Sequence, residues 1–379
     1  MENILHLGKF SNEQVGGIET VVDSLLEGLS LDFNLFNLVA NNCFKNKIKE
    51  QTGYVEYSTA LAGMFARTPL CPSMPYQIKK LYQRYQFSIV HLHLPNPMAH
   101  LASEVLPASV KRIISWHSDV IRQKKLLRIY QPFVNHLLKK ASALIVSTPY
   151  LAEHSIQIKI ARERNIIHTI PYGIDFDYFL TNKNQEKIDQ IKHQYSHRFL
   201  VFALGRHVYY NGCCYLIEAM KQLPKNIILL LGGEGSLTQK LRQQVKISQL
   251  EHQVYFLGEI AKQDLPAYYH ACDLFCLPSI DQSEAFGIAQ LEAMACAKPV
   301  ICCDVTQAAS NVNLDAVTGF VVSPRCPIAL ANAISKLYQN PLMRSFLGRS
   351  AYHYATKNFT THKMFTKVKN LYREIHHFN

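Results

Sequence analysis

The chain predicts an α/β protein of two domains, each a parallel sheet covered by helices on both faces. Three observations carry this expectation. Short apolar runs alternate with helical patterns through the first half, and the same alternation restarts after a polar interruption. At 379 residues the chain also exceeds what one ordinary core organises.

In chain order, Asn3 to Gly8 reads as the first strand. Gly16-Gly17-Ile18-Glu19 then opens a helix whose Val21, Val22, Leu25, Leu26 and Leu29 recur at helical spacing. Leu35 to Val39, Ile89 to Leu94, Ile113 to Trp116 and Leu144 to Ser147 are further strands, with helical segments between several of them. The polar, charged stretch from Thr181 to Arg198 reads as the linker side of a domain boundary. Six strands follow: Phe199 to Gly205, Ile227 to Leu231, Val254 to Leu257, Leu274 to Leu277, Val300 to Cys303 and Gly319 to Val322. The tail from Thr356 to Ile375 reads as a final helix carrying Phe359, Phe365, Val368 and Leu371.

Composition narrows the function. A hydrophobic content of 48% suits packed globular structure, and no apolar run approaches the ~20 residues that span a bilayer. The start lacks a basic segment followed by a long apolar one, so no secretory signal is expected. The ten cysteines form no C-x-x-C pair. Cys213-Cys214 and Cys302-Cys303 read as buried thiols, and no histidine near Cys272 and Cys276 completes a zinc set. A reduced, cytoplasmic protein is the expectation. The net charge of +12 is spread over both halves, but 111–140 carries eight Lys or Arg against the single acid Asp119. Such a segment meets anionic lipid head groups or a phosphate-bearing substrate, or is simply a solvated face. No nucleic-acid reader motif accompanies the charge.

The chemistry concentrates in Ser283 to Ala295, where Glu284 and Glu292 stand eight positions apart across a loop-to-helix junction. Two carboxylates so spaced cannot hold one small atom, with Glu292 expected two turns down the helix. They can hold two parts of one extended ligand. The amides around Phe286, Gly287 and Ile288 at the helix start favour phosphate between them. A diphosphate with a sugar at one end and a ribose at the other fits; solvated surface charge is the plain alternative. Gly16-Gly17 and Gly232-Gly233-Glu234-Gly235 are glycine-rich strand exits, open to phosphate approach or to simple turns. His117 ends a strand, where a ligand-binding or a structural histidine is equally at home. Arg206 leaves the first strand of the second half, where a guanidinium suits phosphate oxygens. His91 and His93 alternate on one strand and share a face, but no third metal ligand is evident.

Taken together, Gly16-Gly17-Ile18-Glu19, Trp116-His117-Ser118-Asp119, Ile170-Pro171-Tyr172-Gly173-Ile174-Asp175, Gly205-Arg206 and Glu284-Ala285-Phe286-Gly287 through Glu292 resemble the retaining family 4 glycosyltransferases of GT-B fold. The resemblance covers nearly the whole chain in order. It implies two Rossmann-like domains facing across a cleft, with the C-terminal helix crossing back to the first. Residues 1–175 with 356–379 would form the acceptor side, and 176–355 would bind a sugar nucleotide. Carried over by position, Glu284 would contact donor-sugar hydroxyls and Glu292 the ribose. Gly16, Gly17 and the stretch Ala285, Phe286, Gly287 and Ile288 would meet the diphosphate or sugar. Arg206 would neutralise phosphate charge, His117 would bind the donor sugar, and Gly258, Glu259 and Ile260 would bracket the base.

The resemblance implies no metal and no cofactor beyond the sugar nucleotide as substrate. The partners it implies are a nucleotide sugar and a glycan or lipid-linked acceptor; peripheral contact with the inner face of a membrane is the expectation from the basic segment 111–140. The chain looks most like mannosyl and related O-antigen transferases, which points to GDP-mannose. It departs from the family at Asn211, where lysine is usual in the diphosphate clamp, and at Ala297, where glycine is usual. Ala308-Ala309-Ser310-Asn311 replaces a more glycine-rich loop, and Cys326 replaces an acid. A sugar-nucleotide epimerase and a non-catalytic scaffold are the competing readings.

Overall fold

The computed structural model describes residues 1–11, 17–41, 45–65, 68–121, 123–281, 286–305 and 312–377. The chain divides into two compact units, Met1–Gly173 with Thr361–Asn379, and Ile174–Thr360.

Unit 1 holds β1 (Asn3–Phe10), α1 (Gly17–Leu29), β2 (Asn34–Ala40), β3 (Lys47–Gln51), β4 (Tyr54–Thr59), β5 (Gly63–Phe65), β6 (Thr68–Leu70), α2 (Met74–Tyr85), β7 (Ile89–Leu94), α3 (Pro97–Ser103), β8 (Lys111–Trp116), α4 (Lys124–Lys140), β9 (Ala143–Val146), α5 (Pro149–His154), α6 (Lys159–Glu163) and β10 (Ile167–Thr169). Its main sheet runs β10-β9-β8-β7-β1-β2-β4-β3. All neighbours are parallel except β3, which is antiparallel to β4. The central strand β7 (IVHLHL) is buried at every position, as a strand covered on both faces must be. At the edge, β3 (KIKEQ) is charged and almost wholly exposed, which discourages pairing with another chain.

Unit 2 holds α7 (Phe176–Thr181), α8 (Gln185–Gln194), β11 (Phe199–Leu204), α9 (Cys213–Met220), β12 (Ile227–Gly232), α10 (Thr238–Ile247), β13 (Val254–Gly258), α11 (Leu265–Ala271), β14 (Leu274–Leu277), α12 (Ile288–Ala295), β15 (Val300–Cys303), β16 (Gly319–Val322), α13 (Pro327–Gln339) and α14 (Pro341–Asn358). Its strands form one parallel sheet in the order β13-β12-β11-β14-β15-β16. On one side, Val201, Leu229 and Ile301 pack with Leu216, Ile217 and Met220 of α9 and Leu330 and Ile334 of α13. Both units are thus Rossmann-like.

Two sequence expectations need correction. The polar stretch Thr181 to Arg198 is not a bare linker: it contains α8, capped by the Asn184 side chain accepting from the Lys187 amide at 3.0 Å. Ile188 and Ile191 of α8 are buried, so its charges are the outer face of an amphipathic helix. The tail is likewise not one helix from Thr356. α14 ends at Asn358, Phe359 is buried at its cap, and α15 (Thr361–His377) starts afresh in unit 1. Met364, Val368, Leu371, Tyr372 and Ile375 form the buried stripe of α15. α15 lies tight on α1, since a Cβ at Gly28 would stand 2.1 Å from the Phe365 ring.

The nine described cysteines are all free thiols, and most are buried. Among the described residues no helix is long and apolar enough to cross a membrane.

Candidate functional site

In unit 2 the strand order reverses between β11 and β14. Such a switch point opens a crevice that takes ligands in doubly wound sheets. The segment after β11 carries Gly205, Arg206 and a single 3-10 turn, Tyr209–Asn211. It is tied to the segment after β14 by the Ile280 amide, which donates to the Tyr210 carbonyl at 2.8 Å. Gly212 makes that approach possible: with φ +66, a Cβ there would lie 2.0 Å from the Pro278 carbonyl oxygen.

Arg206 is exposed at this edge, and its Nη2 donates to the Tyr210 hydroxyl at 2.5 Å. Asn211 is buried, and its Nδ2 donates to the Arg206 carbonyl at 2.8 Å. Asn211 Oδ1 is buried and makes no hydrogen bond within the protein. The side chain at the usual lysine position is therefore folded inward, where it shapes the Arg206 turn.

On the β14 side, α12 begins at Ile288 with Gly287 as its cap at φ +75. A side chain at Gly287 would meet Leu277 Cδ2 at 2.5 Å, so only glycine opens the helix here. The first amides of a helix have no intrahelical acceptor, and the helix dipole adds positive character. Gln290 is fully buried and braces the start: its Nε2 donates to the Phe286 carbonyl at 2.7 Å. Glu292 lies one turn into α12, not two, about 6 Å along the axis from Ile288. Its Oε2 accepts from the Tyr269 hydroxyl at 2.6 Å. Burial raises the carboxyl's pKa, opposed by the Tyr269 hydrogen bond and by Lys262. Glu284 and Ala285 lie outside the described residues, as does Gly16 of unit 1.

The neighbouring strand exits carry Gly258, Glu259 and Ile260. The Gly233 amide donates to the Gly258 carbonyl at 2.7 Å, joining the β12 and β13 exits. Glu259 is exposed, and Ile260 lies close to Gly232. Sequence reading passed over His207, which is fully buried. Its Nδ1 lies 2.9 Å from Thr238 Oγ1, and its amide donates to the Glu234 carbonyl at 2.9 Å. It locks the Arg206 segment to the glycine-rich exit of β12.

Unit 1 has its own switch point, between β1 and β7. Asn96 closes it: Nδ2 donates to the Gly8 carbonyl at 2.9 Å while Oδ1 caps α3 by accepting from Ala99. The Asn-Pro signature of a helix start was the available signal. Gly17 opens α1 at the same edge and is exposed.

His117 follows β8 and is buried, with both ring nitrogens engaged. Nε2 lies 3.0 Å from His93 Nδ1, and Nδ1 lies 2.5 Å from the Tyr172 hydroxyl. Asp119 is structural: its Oδ1 accepts from the Trp116 indole at 2.8 Å and from Ser155 at 2.7 Å. The His91–His93 pair does have a third neighbour, His6 of β1, which the expectation missed because it is remote in sequence. Burial pushes the pKa of His6 and His117 down to about 3 and those of His91 and His93 well below 6.5, so all four are neutral at pH 7. Of the basic segment, Arg112 is buried, donating to the Val110 and Leu106 carbonyls, and is lost to any outer face.

Comparison with known proteins adds an independent line. Residues 15–178 match the family described as Glycosyltransferase Family 4, and residues 184–354 match Glycosyl transferases group 1. The chain is 26% identical over 377 residues to O-antigen chain mannosyltransferase C of Escherichia coli, covering 97% of each chain. It is 28% identical over 352 residues to a D-rhamnosyltransferase of Pseudomonas aeruginosa, covering 92% of this chain and 90% of that one. Among solved structures, sucrose-phosphate synthase from Thermosynechococcus elongatus superposes with a TM-score of 0.83 at 20% identity, covering 99% of both chains. Anabaena HepE, solved with UDP-glucose, gives 0.78 at 19% identity, covering 99% of this chain and 100% of that one.

Proposed function

The chain belongs to the group 1, family 4 glycosyltransferases of GT-B fold, and from that premise we propose that it moves a hexose from a nucleoside diphosphate sugar to a glycan or lipid-linked acceptor. Mannose carried by GDP is the favoured donor, and cell-surface polysaccharide synthesis is the setting. The relatives of matching length, a mannosyltransferase of O-antigen chains and a rhamnosyltransferase, support that choice. The observation that carries the function is the switch point between β11 and β14, with Arg206 on the segment leaving β11 and the glycine-opened start of α12 on the segment leaving β14.

Breaking the C1–oxygen bond makes the sugar oxocarbenium-like and leaves negative charge on the diphosphate. Arg206 and the α12 amides would receive that charge with no reorganisation. Glu292, one turn down, accepts hydroxyl donors and suits the ribose. Glu284 would take the sugar hydroxyls, and Gly258 to Ile260 the base. The leaving phosphate would accept the acceptor's proton on the same face, which retains configuration. The diphosphate charge is assigned to protein groups, so chelation of divalent ions should leave turnover unchanged. At the membrane, we assign contact to α4. Leu126, Ile129 and Phe133 are 41%, 70% and 52% exposed along it, beside Lys125 and Arg128.

Radiolabelled sugar nucleotides incubated with purified protein test the function without knowledge of the acceptor. Slow hydrolysis of one donor, lost in Arg206→Ala, is the expected result. No hydrolysis, together with no thermal shift by GDP or UDP, would overturn the proposed donor chemistry.

A further inference from the structure

Four imidazoles and three hydroxyls of unit 1 form one hydrogen-bonded line, whose last hydroxyl, that of Tyr172, also meets Ser147. In order they are Ser115, His91, Tyr372, His6, His93, His117 and Tyr172, joined by hydrogen bonds of 2.8, 2.5, 3.2, 3.1, 3.0 and 2.5 Å. The sheet sets the spacing: His6 is the register partner of His91 across β1 and β7, and His93 is the partner of Ser115 across β7 and β8. Tyr372 comes from α15, and Tyr172 from the segment just before the chain leaves unit 1. The four histidines, Ser115 and Tyr372 are all buried.

We infer that these seven side chains act as one proton wire, and that His6 and His93 are positioning residues fixing which nitrogen of His117 carries its hydrogen. The inference goes beyond the glycosyltransferase reading and does not depend on it.

The argument is a count of hydrogens. A neutral imidazole has one N–H and one bare nitrogen, and each hydroxyl has one hydrogen. Seven hydrogens serve six links, so if every link holds one, the seventh points outward at an end. Setting one link then sets all the others. If the wire runs towards Tyr172, all four histidines carry hydrogen on Nδ1. If it runs towards Ser115, all four carry it on Nε2. A mixed set that keeps every hydrogen in the line leaves two hydrogens, or two lone pairs, facing each other in a buried place, which is costly. Passing between the two sets moves one proton across each link, with the outward hydrogen given up to water at one end and one taken from water at the other, so that no residue is left charged and no heavy-atom bond is made or broken.

The rival is a metal held by His6, His91 and His93, whose ligand nitrogens lie within 4.8 Å of one another. Two nitrogens bound to one zinc at about 2.1 Å can be no more than about 4.2 Å apart. All six nitrogens of the trio already have hydrogen-bond partners, which favours the wire.

Long-range proton–nitrogen NMR on the full chain with 15N-labelled histidine tests this. In the unsubstituted protein at neutral pH, His6, His91, His93 and His117 should be neutral and share one tautomer. Tyr372→Phe removes a hydroxyl three links from His117 and should shift the His117 ring nitrogens while a cooperative melt is kept. Mixed tautomers in the unsubstituted protein would overturn the wire. So would His117 resonances unmoved in folded Tyr372→Phe, or a stoichiometric response of the trio to added Zn2+. Neither readout needs turnover, so a protein that transfers no sugar still tests it.

Discussion

Ala297 shows what one residue costs at a helix end. Its φ is +52, its amide donates to Met294 at 2.9 Å, and the Lys298 amide donates to Ala293 at 3.0 Å. These are the two bonds of a Schellman ending, whose left-handed position strains any side chain by roughly 1–2 kcal/mol. Ala297→Gly should therefore stabilise the protein by about 1 kcal/mol, read as a higher urea midpoint with an unchanged m-value. Glu292 carries a second prediction. Its folded pKa is raised, so its ionised form opposes folding, and stability falls as pH rises through that pKa. Glu292→Gln should be no less stable than the parent at pH 7, yet show a smaller thermal shift with GDP. An undiminished shift would remove Glu292 from the ribose site. That Glu292 lies on a helix was legible from the sequence, but its depth, one turn rather than two, was not. Its partners Tyr269 and Lys262 were not, because α11 and its approach meet α12 only in the folded sheet.

At the level of elements, strands buried on both faces were the easiest to read: β7 and β14 lie where their apolar runs begin and end. The hairpin partners β3, β5 and β6 were invisible, since an exposed strand such as KIKEQ carries no apolar signal. The helix α8 was hidden for the opposite reason, two buried isoleucines among charges. The contact of α15 with α1 depends on a bare backbone at Gly28. Gly28→Val should destabilise by about 1–3 kcal/mol through overpacking against Phe365, measured by thermal melting. For α4, the exposed apolar stripe predicts sedimentation with vesicles rich in anionic lipid. Ile129→Glu with Phe133→Ser should abolish it, and failure to bind such vesicles at low salt would remove the membrane contact.

Across the whole molecule, the four buried histidines make stability depend on pH. Native His6 and His117 have pKa values of about 3, against about 6.5 unfolded. Below pH 6.5 the unfolded chain takes up protons that the native chain refuses, and stability falls by up to about 1.4 kcal/mol per pH unit for each imidazole. That loss continues down towards pH 3. Urea midpoints at pH 7.5, 6 and 5 should drop steadily, with the transition of unit 1 moving furthest. The buried thiols have a different use. Among the described residues, Cys71 is the buried thiol of unit 1, while Cys213, Cys272, Cys276, Cys296, Cys302 and Cys303 are buried in unit 2. Alkylation requires an exposed thiolate, so each of these sulfurs reacts only when its surroundings open. Labelling followed peptide by peptide in a mass spectrometer therefore turns the cysteines into two clocks, one timing the breathing of each half of the chain without any introduced probe.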